Sequence, residues 1–232
     1  MQLFLSGGGI GEDSRELDDL FANAVDKSKA LLYIPIAKDS RKRPYKECFS
    51  FIRRVFNPRG INKIVMWTEK EIENPPSKLS DFGGIYVGGG NTFYLLKELR
   101  ESGFLGRLIK AIKKGIPYYG GSAGAIICGK SIEPSFFHDE NFVGLKDFRG
   151  FGLVGKYSLF CHFKEQDLDD LKRFSKEKGL DLIALPKNCG LYVFGFSGHR
   201  IKVIGKGHAL KKNFIKNLRI RNSAGGSSVT VA

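Results

Sequence analysis

Short apolar segments alternate with longer amphipathic segments along most of the chain, and this alternation strongly constrains the fold. The apolar segments predict strands at "LFL" (3–5), "ALLYIPI" (30–36), "INKIVMW" (61–67), "GGIYVGGG" (83–90) and "IPYYGG" (116–121). The segments between them predict helices over 12–27, 45–57, 92–101, 104–114 and 123–129. Strands that alternate with helices favour βαβ units, so we expect a doubly wound α/β fold with a mostly parallel sheet. Ligands of such folds bind at the carboxyl ends of the strands.

The last third of the chain predicts strands over 157–163 and 180–186 and a helix over 165–179 that ends in a glycine cap. Two further apolar runs, 191–196 and 201–206, flank "SGHR" and predict a C-terminal antiparallel hairpin. The final eleven residues, "NSAGGSSVTVA", lack both periodicity and charge. A chain of 232 residues is therefore expected to form one α/β domain over 1–221, with a flexible tail over 222–232.

The chain is strongly basic, with 38 Lys and Arg against 24 Asp and Glu and a net charge of +14. Such a surface attracts polyanions and acidic small molecules. The basic residues are concentrated at 38–46, 107–114 and 199–221. Runs of this kind usually form solvated faces, and the sequence shows no zinc-ligand spacing, heptad repeat or RNP-like aromatic run. We therefore expect no nucleic-acid partner.

The cysteines and the apolar runs indicate the compartment. The four cysteines form no C-x-x-C pair and are too sparse for a disulfide framework, which favours reduced thiols. The apolar run in "MQLFLSGGG" is too short for a signal peptide, and no segment approaches the roughly 20 apolar residues of a membrane span. We expect a cytoplasmic protein that does not contact a membrane, either monomer or homodimer.

A serine stands between small residues in "YYGGSAGAIICG" (118–129), after a predicted strand and before a predicted helix. Gly120, Ser122 and Gly124 supply the G-x-S-x-G spacing of a nucleophile elbow. In that turn the hydroxyl is exposed above the sheet, and the next N–H faces an oxyanion. Because the spacing alone is common, its strand-to-helix context carries the prediction that Ser122 is a nucleophile.

A serine nucleophile needs a base, and the chain has four histidines. His162 falls at the end of a predicted strand, where parallel sheets present catalytic groups. His138, in the loop "SFFHDENF", is the alternative, whereas His199 and His208 fall in segments typical of the surface. A carboxylate usually orients the base, and the residues alone leave three candidates between Ser122 and His162: Glu133, Asp139 and Glu140.

Two further glycine clusters follow predicted strands. The backbone N–H groups of Gly88–Gly90, in "YVGGGNTFYLLKELR", could hold an oxyanion or a phosphate, with Asn91 or Thr92 as the helix cap. The cluster "LSGGGIGEDS" (5–14) does not continue as a G-x-G-x-x-G dinucleotide fingerprint, because position 12 is Glu. We therefore expect no cofactor there.

Together, "VGGGNTFYLLKEL", "YYGGSAGAIICGKSI" and "FCHF" resemble the dipeptidase E (aspartyl dipeptidase) family of serine peptidases, whose relatives include cyanophycinase. The resemblance spans roughly 1–210 and implies a class I glutamine amidotransferase-like (flavodoxin-like) fold. It implies Ser122 as nucleophile, His162 as base, and an oxyanion hole from Ala123 and the Gly89 or Gly90 N–H. The implied substrates are short peptides with an N-terminal aspartate, or polyaspartyl material, with no metal or cofactor.

The chain departs from that family at two places. The family's aspartate after the elbow lies in an "N-D-M-P"-like segment, and "FFHDEN" here makes Asp139 the first candidate while keeping Glu140 and Glu133 open. Many relatives carry an acidic residue after the proline of the late strand, where this chain has Lys187. Asn91 and Lys187 are the candidate substrate-binding residues.

Two other functions compete with a serine peptidase. A non-catalytic protein of the same fold could bind acidic ligands or polyanions through the basic surface. Amidotransferase chemistry is disfavoured because position 122 holds Ser rather than Cys. Cys161 is no substitute, since adjacent residues on a strand point to opposite faces.

Overall fold

The computed structural model describes residues 1–38, 44–195, 200–206, 210–211 and 229–230. Its larger sheet has eight strands in the order β11-β9-β8-β1-β5-β4-β2-β3. These strands are β1 Gln2–Ser6, β2 Ala30–Ile34, β3 Ile64–Met66, β4 Phe82–Val87, β5 Tyr118–Gly121, β8 Cys189–Phe194, β9 Arg200–Gly205 and β11 Val229–Thr230. Within the part of this order that reads β1-β5-β4-β2-β3, each strand is parallel to its neighbour. Strands β8, β9 and β11 extend the sheet beyond β1, and each of them pairs antiparallel.

Helices cover both faces of this sheet. They are α1 Arg15–Ala24, α2 Tyr45–Phe56, α3 Glu69–Glu73, α4 Thr92–Glu101, α5 Phe104–Lys113 and α6 Ala123–Ile126, whereas α7 Leu168–Lys178 packs in a separate cluster with Phe160 and Leu182. On α2 the buried residues are Cys48, Ile52 and Phe56, four apart, so one helical stripe faces the sheet. With α1 they form an aromatic core on one face, and α4, α5 and α6 cover the other.

A second, three-stranded sheet consists of β6 Tyr157–Cys161, β7 Asp181–Leu185 and β10 Leu210–Lys211. Strands β6 and β7 are parallel and α7 connects them. Alternate residues of β6 face opposite sides: Leu159 and Cys161 join the main core, while Phe160 packs in a separate cluster with Leu171 of α7. The sequence predicted both strands, but their separation from the main sheet depends on packing between distant segments.

The predicted fold class is confirmed, including the mostly parallel sheet and the C-terminal hairpin of β8 and β9. Helix α7 ends at Gly179 with φ 62°, as the predicted glycine cap requires. Helix α3 and strands β10 and β11 were not predicted. The hairpin turn at 196–199 and residues 222–228 and 231–232 of the predicted tail lie outside the described residues. Within the described part of the chain, no helix has the length and apolar character to cross a membrane.

Candidate active site

Ser122 occupies a strained turn between β5 and α6. Its backbone has φ 49° and ψ −105°, a region that L-residues rarely adopt and that is stabilised only by its surroundings. A Cβ at Gly120 would lie 2.4 Å from the Gly124 carbonyl oxygen, and one at Gly124 would lie 2.3 Å from that of Val87. Both glycines are therefore required by close backbone packing, as in a nucleophile elbow.

The Ser122 hydroxyl is hydrogen-bonded to the His162 ring, with 2.7 Å between Oγ and Nε2. His162 directly follows β6 and also has a positive φ, 58°. Its backbone N–H donates to the Gly7 carbonyl at 2.9 Å, which ties the end of β6 to the end of β1. The imidazole lies against Gly8, where a Cβ would stand 2.1 Å from Cε1. Gly8 therefore leaves the space that the ring fills.

Electrostatics keep the His162 ring neutral. Burial of the ring is the largest cause that lowers the pKa of His162. Coulombic interactions with His138, Lys187 and Lys38 also lower this pKa, and its value is about 4. An imidazole with this pKa is unprotonated at neutral pH, so Nε2 is free to accept the Ser122 proton.

The other histidines do not contact Ser122 in the described structure. The exposed His138 ring has its centroid 6.1 Å from that of His162 and packs at 5.0 Å against Phe160. The hydrogen bond to the Ser122 hydroxyl comes from His162 and not from His138. His199 and His208 lie outside the described residues.

The three candidate carboxylates have different surroundings. Asp139 lines the cavity at Ser122, and its Oδ2 accepts a hydrogen bond from the Thr92 backbone N–H at 2.8 Å. Glu133 accepts from Ser131 Oγ at 3.0 Å and pairs with Lys178 at 3.3 Å, while Glu140 is exposed. Among the described residues, no carboxylate is hydrogen-bonded to His162.

The predicted oxyanion hole consists of the Ala123 N–H and an N–H of the glycine turn at Gly88–Gly90. The Ala123 N–H lies in the first turn of α6, where a helix provides no backbone acceptor. The Gly88 N–H donates to the Ile34 carbonyl at 2.9 Å and is therefore occupied. A Cβ at Gly89 would lie 3.0 Å from Ser122 Cβ, so this glycine contacts the serine directly. Neither the Gly89 nor the Gly90 N–H donates to a backbone carbonyl of the described residues.

The two predicted substrate-binding residues lie at different places. Asn91 caps α4: its Oδ1 accepts from the Tyr94 N–H at 2.9 Å and its Nδ2 donates to the Glu140 carbonyl at 2.8 Å. The Lys187 side chain is exposed, and its backbone lies against Gly9, where a Cβ would lie 2.2 Å from the Lys187 carbonyl oxygen. Lys187 also influences the pKa of His162.

The first glycine cluster has a packing explanation. At Gly7 a Cβ would lie 2.1 Å from the Pro186 carbonyl oxygen, and Gly8 and Gly9 contact His162 and Lys187. The cluster "LSGGGIGEDS" thus seats the segments after β6 and β7 on the end of β1. In the described part of the chain, no three metal-ligating side chains come together.

A cavity of about 500 Å³ opens above Ser122. Besides the predicted residues, it is lined by Tyr33, Lys38, Phe51, Tyr86 and Phe160. Sequence reasoning missed Lys38, which begins the basic run 38–46, interpreted as a solvated face. Like Ser122, Lys38 follows shortly after a predicted strand of the parallel sheet, and this position could have placed it at the site.

Cys161 also lines this cavity, beside Ser122 and His162, although adjacent strand residues were expected to point to opposite faces. It is buried, with Sγ 3.6 Å from the Ser6 carbonyl oxygen, and burial raises the pKa of the thiol well above its ordinary range. A neutral buried thiol is a poor nucleophile.

A serine hydroxyl hydrogen-bonded to a histidine on a strand-to-helix turn is an arrangement typical of α/β hydrolytic enzymes. The model of peptidase family S51 matches residues 3–201, and the chain belongs to that family. The resemblance to dipeptidase E noted from the sequence is thereby confirmed.

Several characterised relatives share part of the chain. It is 34% identical over 130 residues to a probable alpha-aspartyl dipeptidase of Drosophila melanogaster, covering 55% of this chain and 50% of the relative. It is 32% identical over 140 residues to peptidase E of Salmonella arizonae, covering 60% and 57%. The matched region thus spans about half the length of these relatives.

Solved structures share the fold. A peptidase from an acI-B1 actinobacterium aligns with a TM-score of 0.67 and 20% identity, covering 99% of this chain and 93% of that one. A protein of Listeria monocytogenes EGD-e aligns with a TM-score of 0.68 and 21% identity, covering 89% and 98%.

Proposed function

We propose that this protein is a serine peptidase that hydrolyses short peptides with an N-terminal aspartate through an acyl-enzyme on Ser122. The observation that carries the proposal is the 2.7 Å contact between Ser122 Oγ and His162 Nε2 at a strained turn. The family and the names of the aspartyl dipeptidase and peptidase E relatives support the substrate class.

The reaction has two stages. His162 Nε2 accepts the Ser122 proton while Oγ attacks the peptide carbonyl carbon, and the N–H groups of Ala123 and Gly89 or Gly90 stabilise the oxyanion. His162 then gives the proton to the leaving amine as the carbon–nitrogen bond breaks. Water, deprotonated by His162, attacks the ester carbon and releases the acid, which restores the Ser122 hydroxyl.

Asp139 is our candidate for the third catalytic member, since it is the one of the three carboxylates that lines the cavity. We expect Asp139→Asn to lower kcat by about 10²-fold or more. Its amide oxygen still accepts from the Thr92 N–H, which preserves the cap on α4. Glu133→Gln and Glu140→Gln are the controls, and an equal loss in either of them would remove Asp139 from this role.

Lys187 is assigned to the leaving residue. Because His162 protonates the leaving amine, that residue lies on the His162 side of Ser122, where Lys187 is exposed. We propose that its ammonium attracts the C-terminal carboxylate of a dipeptide. Since all four cysteines are free and buried, we also propose a reducing compartment, the cytoplasm.

The decisive experiment is hydrolysis of an Asp-X and X-X dipeptide panel by wild type and Ser122→Ala. We expect the variant to lose about 10⁴-fold or more in kcat, because the nucleophile is absent. Ser77→Ala, an exposed serine at the opposite end of the sheet, is the matched control and should retain full activity. Equal rates for wild type and Ser122→Ala would favour the non-catalytic binding protein.

A further inference from the structure

The cavity above Ser122 contains a single Lys or Arg among its described lining residues, Lys38. This residue is half-buried, four positions beyond the end of β2. It forms no ion pair with any described residue. A partly buried ammonium that lines a cavity can bind an anionic group of a ligand through a charge-assisted hydrogen bond.

The backbone of Lys38 is firmly held beside the glycine turn. Its N–H donates to the Pro35 carbonyl at 2.8 Å, and the Asn91 N–H donates to the neighbouring Ala37 carbonyl at 2.7 Å. Gly90 approaches so closely that a Cβ would lie 1.9 Å from the Ala37 oxygen and 2.7 Å from Lys38 N. Residues 35–38 are therefore held against the glycine turn that contains the proposed oxyanion donors.

Strand order places Lys38 on a defined side of the nucleophile. In the order of the sheet, β1 ends at the turn that contacts His162, and β5 ends just before Ser122. Next to β5, β4 ends just before Gly88–Gly90, and β2 beyond it ends shortly before Lys38. Because neighbouring strands lie about 4.8 Å apart, β2 is about 10 Å from β5. His162 and Lys38 thus stand on opposite sides of Ser122.

This order determines which part of a substrate each residue meets. The leaving residue lies on the His162 side, because it takes a proton from that ring. The acyl residue, bonded to Ser122 through its carbonyl carbon, then extends over the glycine turn toward β2. The four-carbon stem of Lys38 and a short acidic side chain together span the remaining gap.

The walls on this side favour a charged contact. Tyr33, Phe51 and Tyr86 line the same cavity as Lys38, and a Cβ built at Gly121 would lie 3.2 Å from the Tyr86 hydroxyl. Aromatic walls lower the local dielectric constant, which strengthens the attraction between an ammonium and a carboxylate.

We propose that Lys38 is the residue that selects the acyl side of the substrate, by binding the side-chain carboxylate of an N-terminal acidic residue. This inference rests on the proposed peptidase function and extends it with a specificity-determining residue. It separates two carboxylates of an acidic dipeptide: Lys38 binds that of the acyl side chain, and Lys187 attracts that of the C-terminus.

The test compares three substrates, Asp-Leu, the neutral isostere Asn-Leu and Asp-Leu amide, on wild type, Lys38→Gln, Lys38→Arg and Lys187→Gln. We expect Lys38→Gln to lower kcat/KM for both aspartyl substrates about 10- to 100-fold, mainly through KM, and to leave Asn-Leu within about threefold. Lys38→Arg should retain most of the Asp preference, since the charge remains. Lys187→Gln should instead impair the substrates with a free C-terminus and spare the amide.

Binding measurements separate this inference from the proposed function. Calorimetry of Asp-Leu and Asn-Leu on Ser122→Ala, with and without Lys38→Gln, reports recognition where no hydrolysis occurs. If wild type hydrolyses nothing but the Asp preference in binding depends on Lys38, the peptidase proposal fails and the Lys38 assignment stands. If Lys38→Gln affects Asp-Leu and Asn-Leu equally, in hydrolysis or in binding, the assignment is wrong. Lys110→Gln, far along the chain on α5, controls for the loss of one positive charge.

Discussion

The two ends of the sheet carry cavities that differ in size, charge and backbone strain. The cavity at the carboxyl ends has a volume of about 500 Å³, and a cleft at the amino ends has about 840 Å³. The cleft is rimmed by cations, all exposed and none ion-paired to a described residue: Lys29, Lys78, Arg107, Lys110 and Lys114. Size and charge alone would favour the cleft.

Backbone strain favours the smaller cavity instead. Ser122 and His162 are the two non-glycine residues with positive φ in the described part of the chain, and both line that cavity. Strain persists only where surrounding packing enforces it, and it is concentrated at functional sites. Converging side chains held in strained backbone are therefore better evidence for a functional site than the volume of a cleft or the number of lysines around it.

The largest loss of activity among these tests is expected for Gly8→Ala. The new Cβ would lie 2.1 Å from His162 Cε1, so the ring must move away from Ser122. We expect kcat to fall about 10²-fold or more, because displacements of about 1 Å are that costly in an active site. Steady-state kinetics with an Asp-X dipeptide measure this.

Gly11→Ala is the matched control for Gly8→Ala. Gly11 also has a positive φ, 63° against 104° at Gly8, but a Cβ there has no neighbour within 4 Å. It should lose stability from backbone strain and keep its kcat. A similar kcat loss in both variants would mean that loop strain, rather than the position of His162, controls the reaction.

A smaller effect is expected in the pH dependence. Since the pKa of His162 is lowered to about 4, the imidazole is neutral above that pH, and kcat/KM should fall as pH drops through about 4. Lys38 and Lys187 both help to lower this pKa, so replacing either with Gln should move the acid limb to higher pH. Lys110→Gln, in the amino-end cleft, should leave it in place. A limb near the ordinary value of 6.5 in wild type would contradict the burial of the ring.

The smallest effect is expected at the cleft itself. Neutralising Arg107, Lys110 and Lys114 together with Gln, a residue of similar helix propensity, should change kcat/KM for Asp-X dipeptides less than about twofold. These side chains are exposed and line no part of the catalytic cavity. A large loss of hydrolysis in this triple variant would contradict the assignment of the functional site to the carboxyl ends alone. The cleft at the amino ends would then be part of the site.

Local patterns predicted the parts of the site that depend on short segments. The turn at Ser122 follows from small residues between a strand and a helix, and His162 was predicted from its position at a strand end. The close approach of Gly8 to His162 could not be predicted, because it joins segments more than 150 positions apart. Lys38 was missed for a related reason: a basic run looks the same in sequence whether its first residue faces solvent or a cavity.

The third catalytic carboxylate stays a prediction. Asp139, Glu133 and Glu140 follow one another within eight positions, and sequence order alone could not separate them. Their surroundings differ because the loop after α6 places Asp139 at the N-terminus of α4, while Glu133 faces Ser131 and Lys178. Such differences arise from contacts across about 47 positions of sequence, which periodicity does not report.

The proposed nucleophile and the proposed base follow strands of different sheets: Ser122 follows β5 of the eight-stranded sheet and His162 follows β6 of the three-stranded one. We therefore expect the rate of hydrolysis to depend on how closely the eight-stranded and three-stranded sheets pack together. A slight loosening between them, too small to change the content of helix and strand, would separate Oγ from Nε2. In a denaturant titration, we expect the proposed peptidase activity to be lost before the circular dichroism signal changes.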